Sequence, residues 1–382
     1  MTHFYELDHQ PVLAIGLMSG TSADAIDAVV VRTDGISAPE QLASLALPYP
    51  AAVRQQILEL YEPQATTWQG DSEIDRMGDL DQQLGELFAA AALAVLAAAE
   101  LTPAQVAVIG SHGQTIRHRP PVFTLQIGSG FVIRARTGIT TVANFRPTDI
   151  AHGGSGAPLT PRFHRTLFQH HGQSTAVVNF GGITNITALP ADLAAPLQAG
   201  DSGPANSLID LLSTWLGYGP YDRDAIHTCQ GQVMPQALLW LKSHPYFTQP
   251  FPKSTGRELF GATFLQQFLD QFPRAASNDG LATLTQLTIE TTADACRQLL
   301  PPAPQQLILC GGGSANPAIT RGLKQALPDS NIQLSSSYGV DPHALEAQAF
   351  AWFAVRTLRG LPSSLPQATG ATSESVLGAI FI

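Results

Sequence analysis

The feature that most constrains this chain is an interrupted pair of strands that occurs twice. In "IGLMSGTSADAID", residues 15–27, an apolar run from Val12 to Met18 stops in Ser-Gly-Thr-Ser and turns apolar again from Ala28 to Val31. Two carboxylates, Asp24 and Asp27, stand at the exit of the break. The same pattern returns in "STAVVNFGGITNITAL", residues 174–189, where Thr175–Asn179 and Ile183–Leu189 flank Gly181 and Gly182. Short apolar runs around a glycine turn predict β-hairpins, here Val12–Met18 with Ile26–Arg32 and Thr175–Asn179 with Ile183–Leu189. Each half of the chain therefore opens on a strand–turn–strand unit, read either as one architecture used twice or as two unrelated hairpins.

Helical patterns fill the intervals. They are expected over Ala51–Glu62 and Asp75–Leu101, then over Ala205–Trp215, Met234–Ser243, Gly261–Phe272, Leu281–Leu300, Ala315–Leu327 and Ala344–Leu358. Further strands are expected at Val106–Ser111, Val122–Ile127 and Gly138–Asn144. Strands alternating with helices predict an α/β fold. With 382 residues, 44% of them hydrophobic, the chain has material for two or three domains.

Charge narrows the partners. Only 13% of residues are charged and the net charge is −10, without a Lys/Arg cluster, so a nucleic-acid partner is not expected. A small anion held by backbone N–H groups remains compatible with that charge. Cys229, Cys296 and Cys310 are far apart and odd in number, which predicts neither a disulfide framework nor a zinc site, and suits a reducing compartment. "MTHFYELDHQPVLAIG" has no basic segment before its apolar run, so no signal peptide is expected. The most apolar stretch, "LFAAAALAVLAAAELT", reads as too short and Ala-rich to span a bilayer, and the chain reads as cytoplasmic without a membrane partner.

Three glycine turns could carry chemistry: Gly20-Thr21-Ser22, Gly181-Gly182, and Gly311-Gly312-Gly313 ahead of a helix. Successive N–H groups in such turns form a positive concavity, and a helix N-terminus adds to it. Sterics alone also place glycine in tight turns; three turns that each close a strand favour nucleotide. Neither a P-loop nor a G-x-G-x-x-G fingerprint is present. A carboxylate beside phosphate needs a metal between them, so Asp24 could act through Mg²⁺-bound water or contact a second substrate, while Asp27 reads equally as a turn residue. Asp201, in "LQAGDSGPANSLIDLL", reads as following a strand and preceding a helix opened by Pro204, where it is either a cap or a catalyst. "IGSHGQTIRH" sets His112 and Gln114 after a strand, and "NFRPTDIAHGGSGAPL" adds Arg146, Asp149 and a glycine loop. Both clusters suit a hydroxylated ligand, the lesser alternative for His112 being a buried, hydrogen-bonded histidine without a ligand. The pairs His152/His164 and His170/His171 have no ligand spacing, so no protein metal site is expected.

Together these runs resemble the anhydro-N-acetylmuramic acid kinases of bacterial cell-wall recycling. The matching segments include "GLMSGTSADAID", "GSHGQTIRH", "NFRPTDIAHGGSGAPLTPRFH", "NFGGITNIT", "DSGPANSLID", "PKSTGRELF", "LCGGGSANP" and "EAQAFAWFA", in the family's order from Gly16 to Ala371. The resemblance implies two ribonuclease-H-like domains of the actin-like ATPase type with an interdomain cleft. The first would cover residues 1–140, completed by about 359–382, and the second 141–358 with a helical insertion. It implies ATP and Mg²⁺ as cofactors, and a reaction that opens the 1,6-anhydro ring with water and phosphorylates O6. It implies nucleotide contacts from Gly20, Thr21, Ser22, Ala23, Asp24, Ala25, Ile26 and Asp27, from Gly181, Gly182 and Asn185, and from Gly311, Gly312 and Gly313. It implies sugar contacts from His112, Gln114, Arg146, Asp149, Gly156 and Ala157, and Asp201 as general base. Asn144 stands where the family usually has Asp, and Ala205 where it has Gly; Ala205 fits if its φ is negative. Another sugar or small-acid kinase of the same fold, or a non-catalytic nucleotide sensor, are the alternatives. Roles for Lys253 and Arg257, and a homodimeric state, stay open.

Overall fold

The computed structural model describes residues 10–61, 72–170 and 172–382. The expectation of no leader at residues 1–9, and the reading of His171, lie outside them. Packing divides the chain into two compact units, residues 1–167 with 344–382, and residues 168–343.

In the first unit, β1 (Val12–Ser19) pairs antiparallel with β2 (Ala25–Thr33), as the hairpin pattern requires, and β2 pairs with β3 (Glu40–Pro48). Helix α1 (Ala51–Tyr61) follows, then α2 (Glu73–Ala98). Ser72 and Asp75 start α2 with reciprocal side chain-to-backbone bonds of 3.2 and 3.3 Å, which satisfies two otherwise orphaned helix donors. At 26 residues α2 is long and apolar enough to cross a membrane; the shortness argued from its Ala-rich core does not hold. Leu80, Leu84, Phe88 and Val95 instead sit in the core of this unit. Strand β4 (Val106–Arg119) lies parallel to β1 and is joined by β5 (Phe123–Ile127). Helix α3 (Gly130–Thr137), β6 (Thr141–Ala143), α4 (Arg146–Ala151) and α5 (Pro161–Phe168) complete the segment.

The second unit repeats the plan. Strands β7 (Thr175–Phe180), β8 (Ile183–Leu189) and β9 (Gln198–Pro204) form an antiparallel meander. Helices α6 (Asn206–Trp215), α7 (Pro235–Lys242), α8 (Ala262–Gln271) and α9 (Asn278–Leu299) follow, and α6 to α9 share an apolar cluster of their own. Strand β10 (Gln306–Cys310) then lies parallel to β7, and after α10 (Pro317–Ala326) strand β11 (Asn331–Leu334) lies parallel to β10. The chain returns to the first unit with α11 (Leu345–Leu358), α12 (Pro366–Thr369) and β12 (Ala379–Phe381), which pairs with β6.

The sheet orders are β3-β2-β1-β4-β6 with β12 at the edge, and β9-β8-β7-β10-β11. Both are a three-strand meander followed by two parallel strands, the ribonuclease-H-like order, so the repeated hairpin does mark one architecture used twice.

The boundaries differ from those expected. The first break falls at 167/168 rather than 140/141, because β6 pairs with β4 and β12. The second falls at 343/344 rather than 358/359, because α11 packs on β1 and β4. Gly16 and Gly110 are register partners on those two strands. A Cβ at Gly16 would come within 1.7 Å of the Ala347 carbonyl oxygen, and one at Gly110 within 2.0 Å of the Phe350 carbonyl oxygen. Paired glycines thus form a flat floor on which the helix backbone rests.

Candidate functional site

Each unit carries its polar groups at the carboxyl ends of its parallel strands, where open α/β sheets bind ligands. In the first unit the β1–β2 turn is Gly20 to Asp24. Ala23 N–H donates to the Gly20 carbonyl at 3.1 Å. Thr21 and Ser22 are exposed, and the nearest atom to where a Gly20 Cβ would stand, its chain neighbours aside, is Ser22 Oγ at 4.0 Å. The turn therefore presents open backbone. Ala23 and Ile26 are fully buried, so they can offer a ligand only main-chain atoms; Ala25 and Asp27 are half-buried. Ala23 takes φ of 50°, a left-handed conformation that an alanine adopts only under constraint. Asp24 is exposed and ion-paired with Arg54 at 3.0 Å.

Gln114 holds this turn from below. Its Oε1 accepts from Ser19 Oγ at 2.6 Å, and its Nε2 donates to the Gly20 carbonyl at 3.0 Å and to Tyr61 Oη at 2.7 Å. The side chain is fully buried. Sequence reading placed Gln114 beyond the end of a strand; β4 in fact runs on through it. Its buried amide is satisfied by Ser19, the Gly20 carbonyl and Tyr61, which is what lets a polar residue sit in a core strand.

His112 is buried, with Nδ1 2.8 Å from the Gly113 carbonyl oxygen and Nε2 accepting from Arg146 Nε at 3.1 Å. Burial, and then the Arg146 charge, hold its pKa well below the usual histidine value, so the ring is neutral. Arg146 also donates to the Gly156 carbonyl at 2.8 Å. Asp149 accepts from Gly156 N–H at 2.8 Å and from Thr369 Oγ1 at 2.8 Å. The fully buried Asp149 thus anchors the loop carrying Gly156 and Ala157. Asn144 has φ of 56°, a conformation that Asn and Asp share a tolerance for.

In the second unit two glycine turns adjoin. A Cβ on Gly311 would stand 2.2 Å from Asn179 Oδ1, and one on Gly313 2.7 Å from Asn206 Nδ2 and 2.8 Å from Phe180 Cβ. Around Gly312 nothing lies within 4 Å, so this turn too exposes main chain. The Gly181 and Gly182 carbonyls accept from the N–H groups of Asn206 and Ser207 at 3.2 and 3.1 Å, closing the start of α6. The helix beyond Gly313 does not open directly on the glycines, as expected from sequence. A 3-10 turn, Gly312–Ala315, intervenes, and Asn316 caps α10 by accepting from Ala318 N–H at 3.0 Å.

Asp201 lies within β9 rather than at a helix cap, and Pro204 ends that strand rather than starting the helix. Ala205, with φ of −108°, takes the negative angle that alanine needs. Asp201 Oδ1 accepts from Asn185 Nδ2 on the neighbouring strand. Its Oδ2 accepts from Ser254 Oγ at 3.1 Å and Thr255 N–H at 2.9 Å. Burial pushes its pKa up to about 6, against these hydrogen bonds and with a further push from Glu258. A carboxyl tuned toward neutrality is what a general base needs. Sequence reading missed Ser254 and Thr255 as part of this group. The signal was the Pro/Gly-bounded "PKSTG", a polar pair in a loop without periodicity. Lys253 turns to the protein, donating to the Tyr246 and Phe247 carbonyls at 3.1 and 3.3 Å.

Comparison with known proteins agrees in one direction. The family model described as anhydro-N-acetylmuramic acid kinase matches residues 12–382. An anhydro-N-acetylmuramic acid kinase from Shewanella sp. (strain ANA-3) is 43% identical over 371 residues, covering 96% of this chain and 98% of the relative. Its counterpart from Shewanella sp. (strain MR-7) shows the same identity and coverage. Among solved structures, component A of (R)-2-hydroxyglutaryl-CoA dehydratase from Acidaminococcus fermentans aligns over 91% of this chain and 99% of its own. Its identity is 11% and its TM-score 0.47, a level that adds nothing to the family match.

Proposed function

We propose a function from one premise: this chain belongs to the anhydro-N-acetylmuramic acid kinase family. It is an ATP-dependent kinase that takes 1,6-anhydro-N-acetylmuramic acid and water to N-acetylmuramic acid 6-phosphate and ADP, a step of peptidoglycan recycling. The cytoplasm, where ATP is at hand, is the proposed compartment.

The observation that carries the chemical reading is Asp201: a buried carboxyl, held by three donors, with its pKa raised to about 6. In its ionised form it takes a proton from water as the water oxygen bonds to C1. The C1–O6 bond breaks, and the O6 electron pair forms the bond to the γ-phosphorus. The bond from that phosphorus to the bridging oxygen breaks, and ADP leaves. Positioning and electrostatics supply most of the catalysis in phosphoryl transfer. The open main chain at Gly20 in the first unit and that at Gly312 in the second are each proposed to contact nucleotide, since backbone N–H groups suit phosphate whatever the net charge. Mg²⁺ balances phosphate charge when bound. Among the described residues no group of three His, Cys, Asp or Glu side chains could cage a metal, and Mg²⁺ characteristically takes one or two carboxylates with phosphate and water. Asp24, an exposed carboxylate at the turn, fits that requirement. Arg146, oriented by His112, is the proposed sugar-binding cation, and Asp149 shapes the loop beside it.

The test is an ATP-dependent assay with the anhydro-sugar, read by mass. Addition of phosphate plus water is expected; phosphate alone would indicate ordinary kinase chemistry. Asp201→Asn should lower kcat at least about a hundredfold with ATP affinity retained, as loss of a general base implies. Turnover within about tenfold of wild type would remove Asp201 from this role.

A further inference from the structure

The segment from 246 to 255 is fastened to one residue. Asp201 N–H donates to the Lys253 carbonyl at 2.8 Å, and Tyr246 Oη donates to the Asp201 carbonyl at 2.7 Å. Two glycines of β9 make the approach possible. A Cβ at Gly200 would stand 2.8 Å from the Lys253 carbonyl oxygen and 2.7 Å from the Phe251 ring, and one at Gly203 would stand 2.7 Å from the Phe247 ring. Lys253 closes the segment on itself. Its ammonium bonds the Tyr246 and Phe247 carbonyls and lies 4.7 and 5.0 Å from the centres of the Tyr246 and Phe251 rings. Phe247 stacks on Phe260 with ring centres 5.6 Å apart, which ties the segment to the core of α6 to α9.

This strap delivers its last two residues to the carboxylate. A carboxylate has about four lone-pair sites, two on each oxygen. Ser254 Oγ and Thr255 N–H occupy both on Oδ2, whereas Asn185 occupies one on Oδ1. We propose that Ser254 is a positioning residue for the reaction: with the Thr255 amide it saturates Oδ2, fixes the carboxylate plane and leaves Oδ1 as the oxygen that receives the proton. The inference rests on Asp201 being the base.

Ser254 then has a measurable second effect. A donor to the ionised carboxylate favours the ionised form, and it works against the burial that raises the pKa of Asp201. The charged and titratable groups that also act on Asp201 are Glu258, Lys253 and Tyr246. None of them is altered by changing Ser254.

The experiment is the pH dependence of kcat for the full chain, as wild type, Ser254→Ala, Ser254→Thr and Asp201→Asn. Ser254→Ala should move the acid limb up by about half a pH unit or more, with KM for ATP unchanged, and Ser254→Thr should return it toward wild type. A purely structural role for Ser254 would lower kcat at every pH without moving the limb. If Asp201→Asn abolishes turnover while Ser254→Ala leaves the limb in place, the positioning role is overturned and the base stands. If Asp201→Asn keeps near wild-type turnover, the base assignment itself fails. Tyr246→Phe gives a second arm that leaves every charge in place: losing the strap's bond to the Asp201 carbonyl should also raise the limb, and an unmoved limb in both variants rejects the strap.

Discussion

As the proposed base, Asp201 should make stability and activity depend on pH in opposite directions. Its pKa is about 6 when folded, above the ordinary value of 3.8. Between those values the folded state binds more protons than the unfolded one, so stability falls as pH rises through the interval and then levels off. The shift corresponds to a few kcal/mol, about 3 at 1.36 kcal/mol per unit. On the proposed base role, activity needs the ionised form and is expected to rise over the same interval. Asp201→Asn should therefore flatten the dependence of the denaturation midpoint on pH between 4 and 7, measured in urea at fixed ionic strength. An unchanged slope would mean that the carboxyl titrates elsewhere. The same residue shows why a sequence leaves roles open. "AGDSGPAN" fits a helix cap as well as a strand, because Asp, Ser and Pro each favour helix starts. What decides is the pairing of β9 with β8 and the arrival of Ser254 from 53 positions away, which no local pattern encodes.

Among the elements, those with apolar periodicity and a glycine turn were legible: β1 with β2, and β7 with β8, fall within a residue or two of expectation. Strand β3 was missed because "EQLASLALP" lies at a sheet edge, half-exposed, without a clean alternation. Strand β4 was cut short at Ser111 because "SHGQTIRHR" is polar, although Ser111, His112 and Gln114 are buried. Helix α3 was hidden by the glycines that open it; a Cβ at Gly130 would meet the Phe381 ring at 2.7 Å. The close seat of α11 gives the prediction at this scale. Gly110→Ala forces the helix away from β4 and should cost about 3 kcal/mol or more, at the upper end of overpacking effects. Thermal or urea unfolding reads it, and Gly312→Ala, in open space, is the control that should change stability by less than about 1 kcal/mol.

At the scale of the whole molecule, the two units are built alike but connected differently. The second is one continuous stretch, 168–343, whereas the first needs residues 344–382 to close. Those residues bring α11, all of it buried apart from Glu346, and a helix buried on every face is part of the core that this unit needs in water. A chain ending at 343 should retain slow amide hydrogen exchange in β7 and β10 and lose it in β1 and β4. Protection in all four strands would show that α11 is dispensable. The wiring also orders events at the ribosome. The later-encoded half can reach its final state while its predecessor still waits, and the earlier half stays a client for chaperones until the tail emerges to fill its floor of paired glycines.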